Sequence, residues 1–292
     1  MGVLALNRAT RCAGALFFAL AGSLTAQAQD ADALKARHAG LREQLASNPF
    51  GQPLHLESSD ESGTLQGDIY AVVSYPFAVA GPALQAAANW CDILILHQNV
   101  KSCRASRPQE GDTLSLNIGR KFDQPLADAY PFEFRYRVVA ARPDYLHAVL
   151  DADKGPMRTS RYRIDLEVVA LDARRSFLHL SYSYAYGTAA RMAMQGYLAT
   201  IGRDKVGFTI VGHEADGEPI HERGTRGVVE RNTMRYFLAI DAYLAALAVP
   251  PAERLETRLA GWYAGVERFP VQLHELERDE YLAMKRKEVR RQ

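Results

Sequence analysis

The sequence predicts an α+β fold in which a curved antiparallel sheet closes around one long helix near the C-terminus. Three observations lead to this prediction. Six strand-like segments follow one another between residues 99 and 186. Two of them alternate apolar and charged residues, which is typical of a sheet with one buried face. A long amphipathic helix follows at 227–247, and its apolar side is suited to cover that face.

Composition and charge are those of an ordinary folded protein. The chain has 292 residues, of which 48% are apolar and 24% are charged. Lys and Arg together number 35 and Asp and Glu 34, so there is no excess of positive charge to attract nucleic acid. We therefore expect no nucleic-acid partner.

Residues 1–28 predict a cleaved secretory signal peptide. Arg8 and Arg11 precede an apolar run at 13–24, and residues 26–28 (AQA) form a small-x-small cleavage site. The apolar run is shorter than the roughly 20 residues that a membrane-spanning helix requires, which argues against the alternative of an uncleaved anchor. We expect export, to the periplasm in a Gram-negative bacterium or as a secreted protein, with no integral membrane span after cleavage.

Export would leave Cys91 and Cys103 in an oxidising compartment. A disulfide between them is therefore predicted. The alternatives are two buried free thiols or a metal site, and the metal site is disfavoured because no histidine stands at ligand spacing beside either cysteine.

The N-terminal part of the mature chain, 29–65, is predicted to be a helical arm. Residues 30–47 have helical character but no strong apolar face, and Asn48-Pro49 ends them. We expect this arm to lie at the periphery.

The sheet domain is predicted to begin with a strand at 66–75 and a helical stretch at 78–97, divided at Gly81-Pro82. Six strands are then expected at 99–107, 112–120, 131–141, 144–151, 158–170 and 174–186. In the third, Phe132, Phe134, Tyr136 and Val138 alternate with charged residues, and in the fifth Tyr162, Ile164, Leu166 and Val168 do so. These patterns predict a one-sided sheet whose apolar face needs a cover.

The long helix supplies the cover. Its apolar stripe, within about 60° of one line on a helical projection, consists of Val229, Tyr236, Phe237, Ile240, Leu244 and Leu247. Pro250-Pro251 stops it, and the remaining segment, 251–292, is predicted to form two further helices that wrap the outside.

The passage GDIYAVVSYPFAVAGPALQAAANWCDIL, residues 67–94, resembles the opening of the START-like and Bet v 1-like superfamily, in which a strand leads into a short helix pair. With the element order that follows, the chain is similar to this helix-grip group over about 66–248. The group includes polyketide cyclases and lipid carriers. The resemblance implies a domain at 66–250 with an elongated apolar cavity between sheet and long helix.

An insert at 187–225 departs from the simple form of that fold. It is predicted to hold a helix at 187–202, a strand at 205–212 and a polar turn. Either the insert covers or partly fills the cavity, or the topology is that of another exported antiparallel half-barrel.

No motif for a catalytic triad, a metal or a nucleotide occurs, and we expect no cofactor and no metal. The pairs His213-Glu214 and His221-Glu222 flank a polar turn where solvated side chains are expected. Glu230 and Asp241 are separated by about 16 Å along the long helix, too far to act on one bond. Glu230 could border the cavity, or serve as a hydrogen-bonded flank residue.

The ligand-binding residues are expected on the facing surfaces of sheet and helix. Tyr182 and Tyr184 lie on the apolar side of the last strand, and Phe237 and Ile240 belong to the helical stripe. The alternative for the tyrosines is a purely structural core.

An anionic group of the ligand is expected near the start of the long helix. Arg223 and Arg226 stand there, where the positive end of the helix disfavours cations unless an anion compensates. The alternative is pairing with nearby acids such as Glu222, and Arg231 and Arg235 project away from the sheet.

The favoured function is the binding of a hydrophobic small molecule or lipid, without catalysis. One alternative is a cyclase or hydrolase that uses Tyr182, His179 and Glu230. The other is an envelope protein with a filled core that works through a protein partner. A cavity between sheet and helix distinguishes the last alternative from the first two.

Overall fold

The computed structural model describes residues 19–107, 111–200 and 203–292, and at its centre lies a curved eight-stranded antiparallel sheet. The strands are β1 (Leu54–Glu61), β2 (Thr64–Val73), β3 (Val100–Ser106), β4 (Asp112–Ile118), β5 (Tyr130–Arg142), β6 (Tyr145–Lys154), β7 (Thr159–Ala170) and β8 (Ser176–Tyr186). Their order across the sheet is β1-β2-β8-β7-β6-β5-β4-β3. Residues 1–18, most of the expected signal peptide, lie outside the described residues.

The helices surround this sheet on both faces. They are α1 (Ala19–Gly40), α2 (Arg42–Ala46), α3 (Phe77–Gln85), α4 (Ala87–Leu94), α5 (Thr188–Ala199), α6 (Gly224–Ala245), α7 (Arg254–Val266), α8 (Pro270–Leu273) and α9 (Arg278–Val289). A short hairpin, β9 (Ile210–His213) with β10 (Pro219–His221), precedes α6. None of the helices in the described ranges combines the length and apolarity needed to span a bilayer.

The predicted α+β class, the six strands and the long C-terminal helix are confirmed. One strand was missed. The segment 54–61, placed in the helical arm by the sequence, forms β1 and pairs with β2 along its whole length through a tight turn at Ser62-Gly63. Buried and partly exposed residues alternate only in the first half of β1, where Leu54 and Leu56 are buried. The far end of the strand is polar and exposed, so the sequence pattern of a strand is weak there.

Helix α6 covers the concave face of the sheet. Four of the six residues of its predicted stripe are buried, whereas two are only partly buried: Val229, Phe237, Ile240 and Leu244 in the first group, Tyr236 and Leu247 in the second. The helix packs mainly against β1, β2 and β8. Its closest approach is at Gly67 of β2, where a Cβ atom would lie 2.3 Å from Thr233 Oγ1. The helix therefore sits over one half of the sheet instead of its middle.

The outer face of the sheet is also partly covered, contrary to the expectation of a one-sided sheet with a peripheral arm. Four apolar residues of the N-terminal helices pack on four of the sheet: Ala31, Leu34, Leu41 and Leu45 on Ala140, Tyr145, Val169 and Phe177. Neighbouring pairs such as Val168-Val169 are buried on opposite faces. The central strands are thus apolar on both sides at this end.

The rest of the outer face carries a network of charged side chains across the strands. His179 lies between two carboxylates, with Nε2 3.0 Å from Asp68 Oδ1 and Nδ1 3.2 Å from Glu167 Oε2. Burial alone would lower the pKa of His179, but the two carboxylates outweigh burial and raise it to about 9. The imidazole is therefore held as a cation.

The predicted disulfide is present and joins Cys91 of α4 to Cys103 of β3. It fastens an edge strand of the sheet to the helix that covers that edge. Both sulfur-bearing side chains are buried in the main core.

The C-terminal extension does more than wrap the outside. Trp262 of α7 stacks on Tyr281 of α9 with ring centroids 4.8 Å apart, and both are buried. Tyr281 also donates a hydrogen bond to the carbonyl of Leu96, 2.9 Å away. These helices therefore complete the core behind α6.

Replacement of Gly67 by Ala is expected to lower the free energy of unfolding by about 1–3 kcal/mol, because the added methyl group collides with Thr233. Thr233 cannot easily rotate away, since its hydroxyl donates to the carbonyl of Val229 at 2.8 Å. Denaturant unfolding measures the change. Gly40→Ala is the control, because a Cβ there meets nothing within 4 Å; equal stability losses in both variants would contradict this packing.

The raised pKa of His179 predicts that the free energy of unfolding decreases at alkaline pH. Its charge stabilises the fold fully below the unfolded pKa of 6.5, and this contribution is lost as the pH rises through about 9. The unfolding free energy of wild type should exceed that of His179→Asn by on the order of 3 kcal/mol at pH 6, and the excess should vanish near pH 10. An excess that is the same at both values, or an equal pH dependence for exposed His213→Asn, would refute the assignment.

Candidate functional site

A cavity of about 530 Å³ lies between the sheet and α6. Its sheet residues come from β3, β4, β5, β7 and β8 and none from β1 or β2, so it lies beside α6 over the other part of the sheet. The lining consists mostly of aromatic and apolar side chains: His97, Val100, Leu116, Ile118, Phe132, Phe134, Met157, Tyr162, Tyr182, Tyr184, Met194, Val228 and Tyr236, with Asn99, Gly119, Arg120, Pro156, Thr159 and Asn232. The cavity that the resemblance implied is therefore present.

One wall of the cavity is a continuous set of aromatic rings. Tyr162 stacks on Tyr184 with centroids 5.1 Å apart, and Tyr182 lies 5.0 Å from Tyr236 across the sheet–helix boundary. Phe132 meets Tyr162 edge-on at 5.2 Å. Such walls bury a flat apolar body well and offer ring edges and faces for contact.

Three tyrosine hydroxyls of this wall are left for a ligand. Within the described chain, no residue hydrogen bonds to the hydroxyl of Tyr182, Tyr184 or Tyr236, whereas the hydroxyl of Tyr162 lies 2.8 Å from Thr159 Oγ1. Burial raises the pKa of all three phenols, so they remain protonated. They can donate or accept hydrogen bonds at the wall of an otherwise apolar space.

His97 is the most buried polar group of the lining, with an exposed fraction of 4%. It stands between α4 and β3, and its ring stacks on Tyr236 at 5.1 Å. Burial lowers the pKa of His97 well below its ordinary value, and neighbouring cations lower it further. The imidazole is therefore neutral at physiological pH.

The mouth of the cavity is formed by the turn between β6 and β7 and by α5 of the insert. Pro156 and Met157 of the turn and Met194 of α5 line it, and α5 packs against this turn. The turn is strained, since Met157 and Arg158 have φ values of 53° and 63°, and Arg161 near the start of β7 has a φ of 51°. The insert thus covers the cavity, as one of the two alternatives for it expected.

Tyr182 and Tyr184 line the cavity, as expected, but Phe237 and Ile240 do not. Both of these are almost fully buried in the closed core between α6 and the sheet. The helical projection gave the correct buried direction. It could not show that α6 is displaced towards β2, which turns the neighbouring row of residues, Val228, Asn232 and Tyr236, to the cavity.

The structure places the two arginines of the expected anion site away from the cavity. Arg226 pairs with Glu222 at 2.7 Å and donates to Ser58, and Arg223 is exposed at the helix start. Neither lines the cavity. Arg226 is thus compensated by a local acid, which is the alternative that the sequence had left open.

Glu230 is also absent from the cavity and is a fully buried structural residue. Its carboxylate accepts hydrogen bonds from the hydroxyls of Ser58 and Thr209 at 2.6 and 2.7 Å and from the amides of Phe208 and Thr209 at 2.5 and 3.0 Å. It therefore fixes the insert and β1 to α6, which is the flank-residue interpretation.

The three candidates for an enzyme do not converge. Tyr182 lies in the cavity, His179 on the outer face of the sheet and Glu230 in its own buried site. In the described parts of the chain, no three His, Cys, Asp or Glu side chains are grouped so that they could hold a metal ion. The histidines of the pairs His213-Glu214 and His221-Glu222 belong to the β9–β10 hairpin.

Several cavity residues were missed by the sequence. Four of them had been placed on the apolar faces of their strands or helix: Phe132, Phe134, Tyr162 and Tyr236. The strand alternation and the helical stripe therefore indicated that they face the space between sheet and helix. For His97 the sequence carries no signal beyond its position after the apolar run ILIL. Only the tertiary structure shows that His97 belongs to the cavity lining.

No protein-family model and no curated protein matches the chain. Solved structures match it at low identity. It is similar to a conserved protein from Geobacillus kaustophilus (10% identity, 62% of this chain and 95% of that one, TM-score 0.36). It is also similar to the Zhui aromatase/cyclase from Streptomyces sp. R1128 (12%, 72% and 94%, 0.33) and to a START superfamily protein from Mycobacterium smegmatis (11%, 47% and 92%, 0.30).

Proposed function

We propose that the protein binds a hydrophobic small molecule or lipid in the cavity between the sheet and α6. The observation that carries this proposal is the aromatic lining, in which three tyrosine hydroxyls have no partner in the described chain. Ligand sites are typically concave, largely apolar and supplied with a few polar groups, and their volumes are roughly 300–1,000 Å³. At about 530 Å³ the cavity fits that description.

The lining favours a ligand with a rigid, flat body. Stacked rings such as Tyr162 and Tyr184 present faces and edges at fixed spacing, and the lining also includes aliphatic side chains, Leu116 and Ile118. The envelope-protein alternative requires the space between the sheet and α6 to be filled by side chains. The cavity of about 530 Å³ does not favour that alternative.

The cavity is also suited to holding a ligand away from water. Its mouth is narrowed by two methionines, Met157 and Met194, whose flexible side chains can adapt to different shapes. Binding and release would require displacement of α5 or of the strained turn. A carrier or storage role follows from this more readily than rapid turnover.

We further propose that the protein is exported and acts in the periplasm or outside the cell. Support comes from the basic, apolar and small-residue pattern of 1–28 and from the disulfide between Cys91 and Cys103. Ala31 of α1, which packs on the sheet, lies after the expected cleavage point.

Obstruction of the cavity tests the binding function. Val228→Trp places an indole in the cavity wall and should weaken binding of the neutral fluorophore 1-pyrenebutanol by roughly tenfold or more, because the occupied volume is no longer available. Fluorescence titration measures the affinity. Val271→Trp is the matched control, since Val271 is 63% exposed and lies outside the lining. Binding that is unchanged by Val228→Trp, or absent in wild type, would contradict the proposal.

Cleavage of the signal peptide is tested by the N-terminus of the protein isolated from its native envelope. Intact-mass and N-terminal analysis should find a chain that starts at Gln29. Ala28→Asp should block processing because the cleavage site requires a small residue there, whereas Gln27→Asp, at the variable position, should be processed normally. A mature chain that retains residues 1–28 would disprove export by this route.

A further inference from the structure

The hydrogen bonds of His97 fix which of its ring nitrogens carries the proton. Nδ1 accepts a hydrogen bond from the backbone amide of Asn99 at 3.2 Å. Because that nitrogen must be unprotonated and the ring is neutral, Nε2 carries the hydrogen. Nε2 is buried and finds no acceptor among the residues that the structure describes.

An unpartnered buried donor costs free energy and calls for an explanation. His97 belongs to the lining of the cavity, and its Nδ1 edge is already engaged with the backbone. The donor edge at Nε2 is the one that remains without a partner. Its natural partner is an acceptor atom on a bound ligand.

The charges behind His97 determine what kind of acceptor is favoured. Glu275 is shared by three cations, Lys121, Lys205 and Arg235. Glu288 is shared by two buried lysines, Lys101 at 3.0 Å and Lys285 at 2.7 Å. Five cations thus surround two carboxylates in this cluster.

The same cluster is tied directly to His97. Lys285 Nζ donates to the carbonyl oxygens of His97 and Val100, each at 2.8 Å. Lys101 donates to the carbonyl of the next residue, Gln98, at 3.0 Å. The excess positive charge therefore lies just behind the histidine, where few water molecules can screen it.

We propose that His97 is the specificity-determining residue of the cavity and that it binds an anionic oxygen, such as a carboxylate or phenolate, of a ligand with an apolar body. This inference rests on the proposed function. The Nε2–H donates to the oxygen, and the field of the lysines and Arg235 stabilises its negative charge. The anion end of the ligand is thus at the buried end of the cavity, instead of at Arg223 and Arg226.

Two fluorophores with the same body separate the anion from the apolar contacts: 1-pyrenebutyrate and the neutral 1-pyrenebutanol. Wild type should bind 1-pyrenebutyrate at least about tenfold more tightly than 1-pyrenebutanol. A ratio of this size corresponds to the net contribution of a hydrogen bond to a charged group. If neither compound binds, the proposed function fails. If both bind equally, only the present inference fails.

Two substitutions of His97 test the roles of its two ring nitrogens separately. In His97→Gln the amide nitrogen takes the place of Nε2 and can still donate, so the preference for the carboxylate should persist. In His97→Asn the side chain can still accept from the amide of Asn99, but nothing reaches the place of Nε2, so the preference should fall to about onefold. Because 1-pyrenebutanol carries no charge, its affinity should fall by less than that of 1-pyrenebutyrate in His97→Asn.

The double variant Arg223→Ala with Arg226→Ala is the control and should keep the full preference for the carboxylate. Loss of the preference in this variant, or an undiminished preference in a folded His97→Asn protein, would overturn the assignment. Thermal unfolding of each variant shows that it is folded before its affinities are compared.

Discussion

The position of α6 on the sheet is the constraint on which the rest of the structure depends. Gly67 lets the helix approach β2 so closely that Thr233 occupies the space of a side chain. The helix is thereby placed over β1, β2 and β8, and a helix some 10 Å in diameter cannot also fill the space over β3, β4 and β5. The cavity is the part of the concave face that this displacement leaves open.

Other buried polar groups hold the displaced helix in place. Glu230 accepts four hydrogen bonds that join α6 to β1 and to the insert, and Arg235 on its other side reaches Glu275 ahead of α9. Removal of a partner from such a site leaves a buried charge uncompensated, so each of these residues restrains the helix strongly. The apolar stripe alone would allow the helix to slide along the sheet.

The fold could be predicted from the sequence because its main signals are local. Alternation in 131–141 and 158–170 and the stripe of 227–247 each depend on residues close in the chain. Strand β1 was not predicted, because its pairing with β2 makes it a strand and its own residue pattern does not show this. The N-terminal helices were predicted, but their packing on the sheet was not, since Leu34 and Leu41 contact sheet residues about a hundred positions away.

The site was predictable only in part, for a geometric reason. The alternation of the last strand identified Tyr182 and Tyr184 on the sheet. On the helix, a projection fixes the buried direction of α6 but not its lateral position, so Phe237 and Ile240 were chosen instead of Val228 and Asn232. The charges were harder still. Arg223 and Arg226 stood out because they lie close together in sequence at the start of the long helix, whereas Lys101, Lys121 and Lys285 come together from separate segments of the chain.

That convergence changes the role of the C-terminal extension. Its charged last helix was expected to wrap the outside, but Lys285 and Glu288 are almost fully buried, and burial lowers the pKa of Lys285 to about 8. Groups with this desolvation cost are not needed to close a core that Trp262 and Tyr281 already fill. Their effect is instead to hold the 97–100 backbone, which fixes the ring of His97, and to place positive charge behind it. The extension is therefore a structural part of the cavity's inner end, and its removal would alter the polarity of the site as well as the stability of the fold.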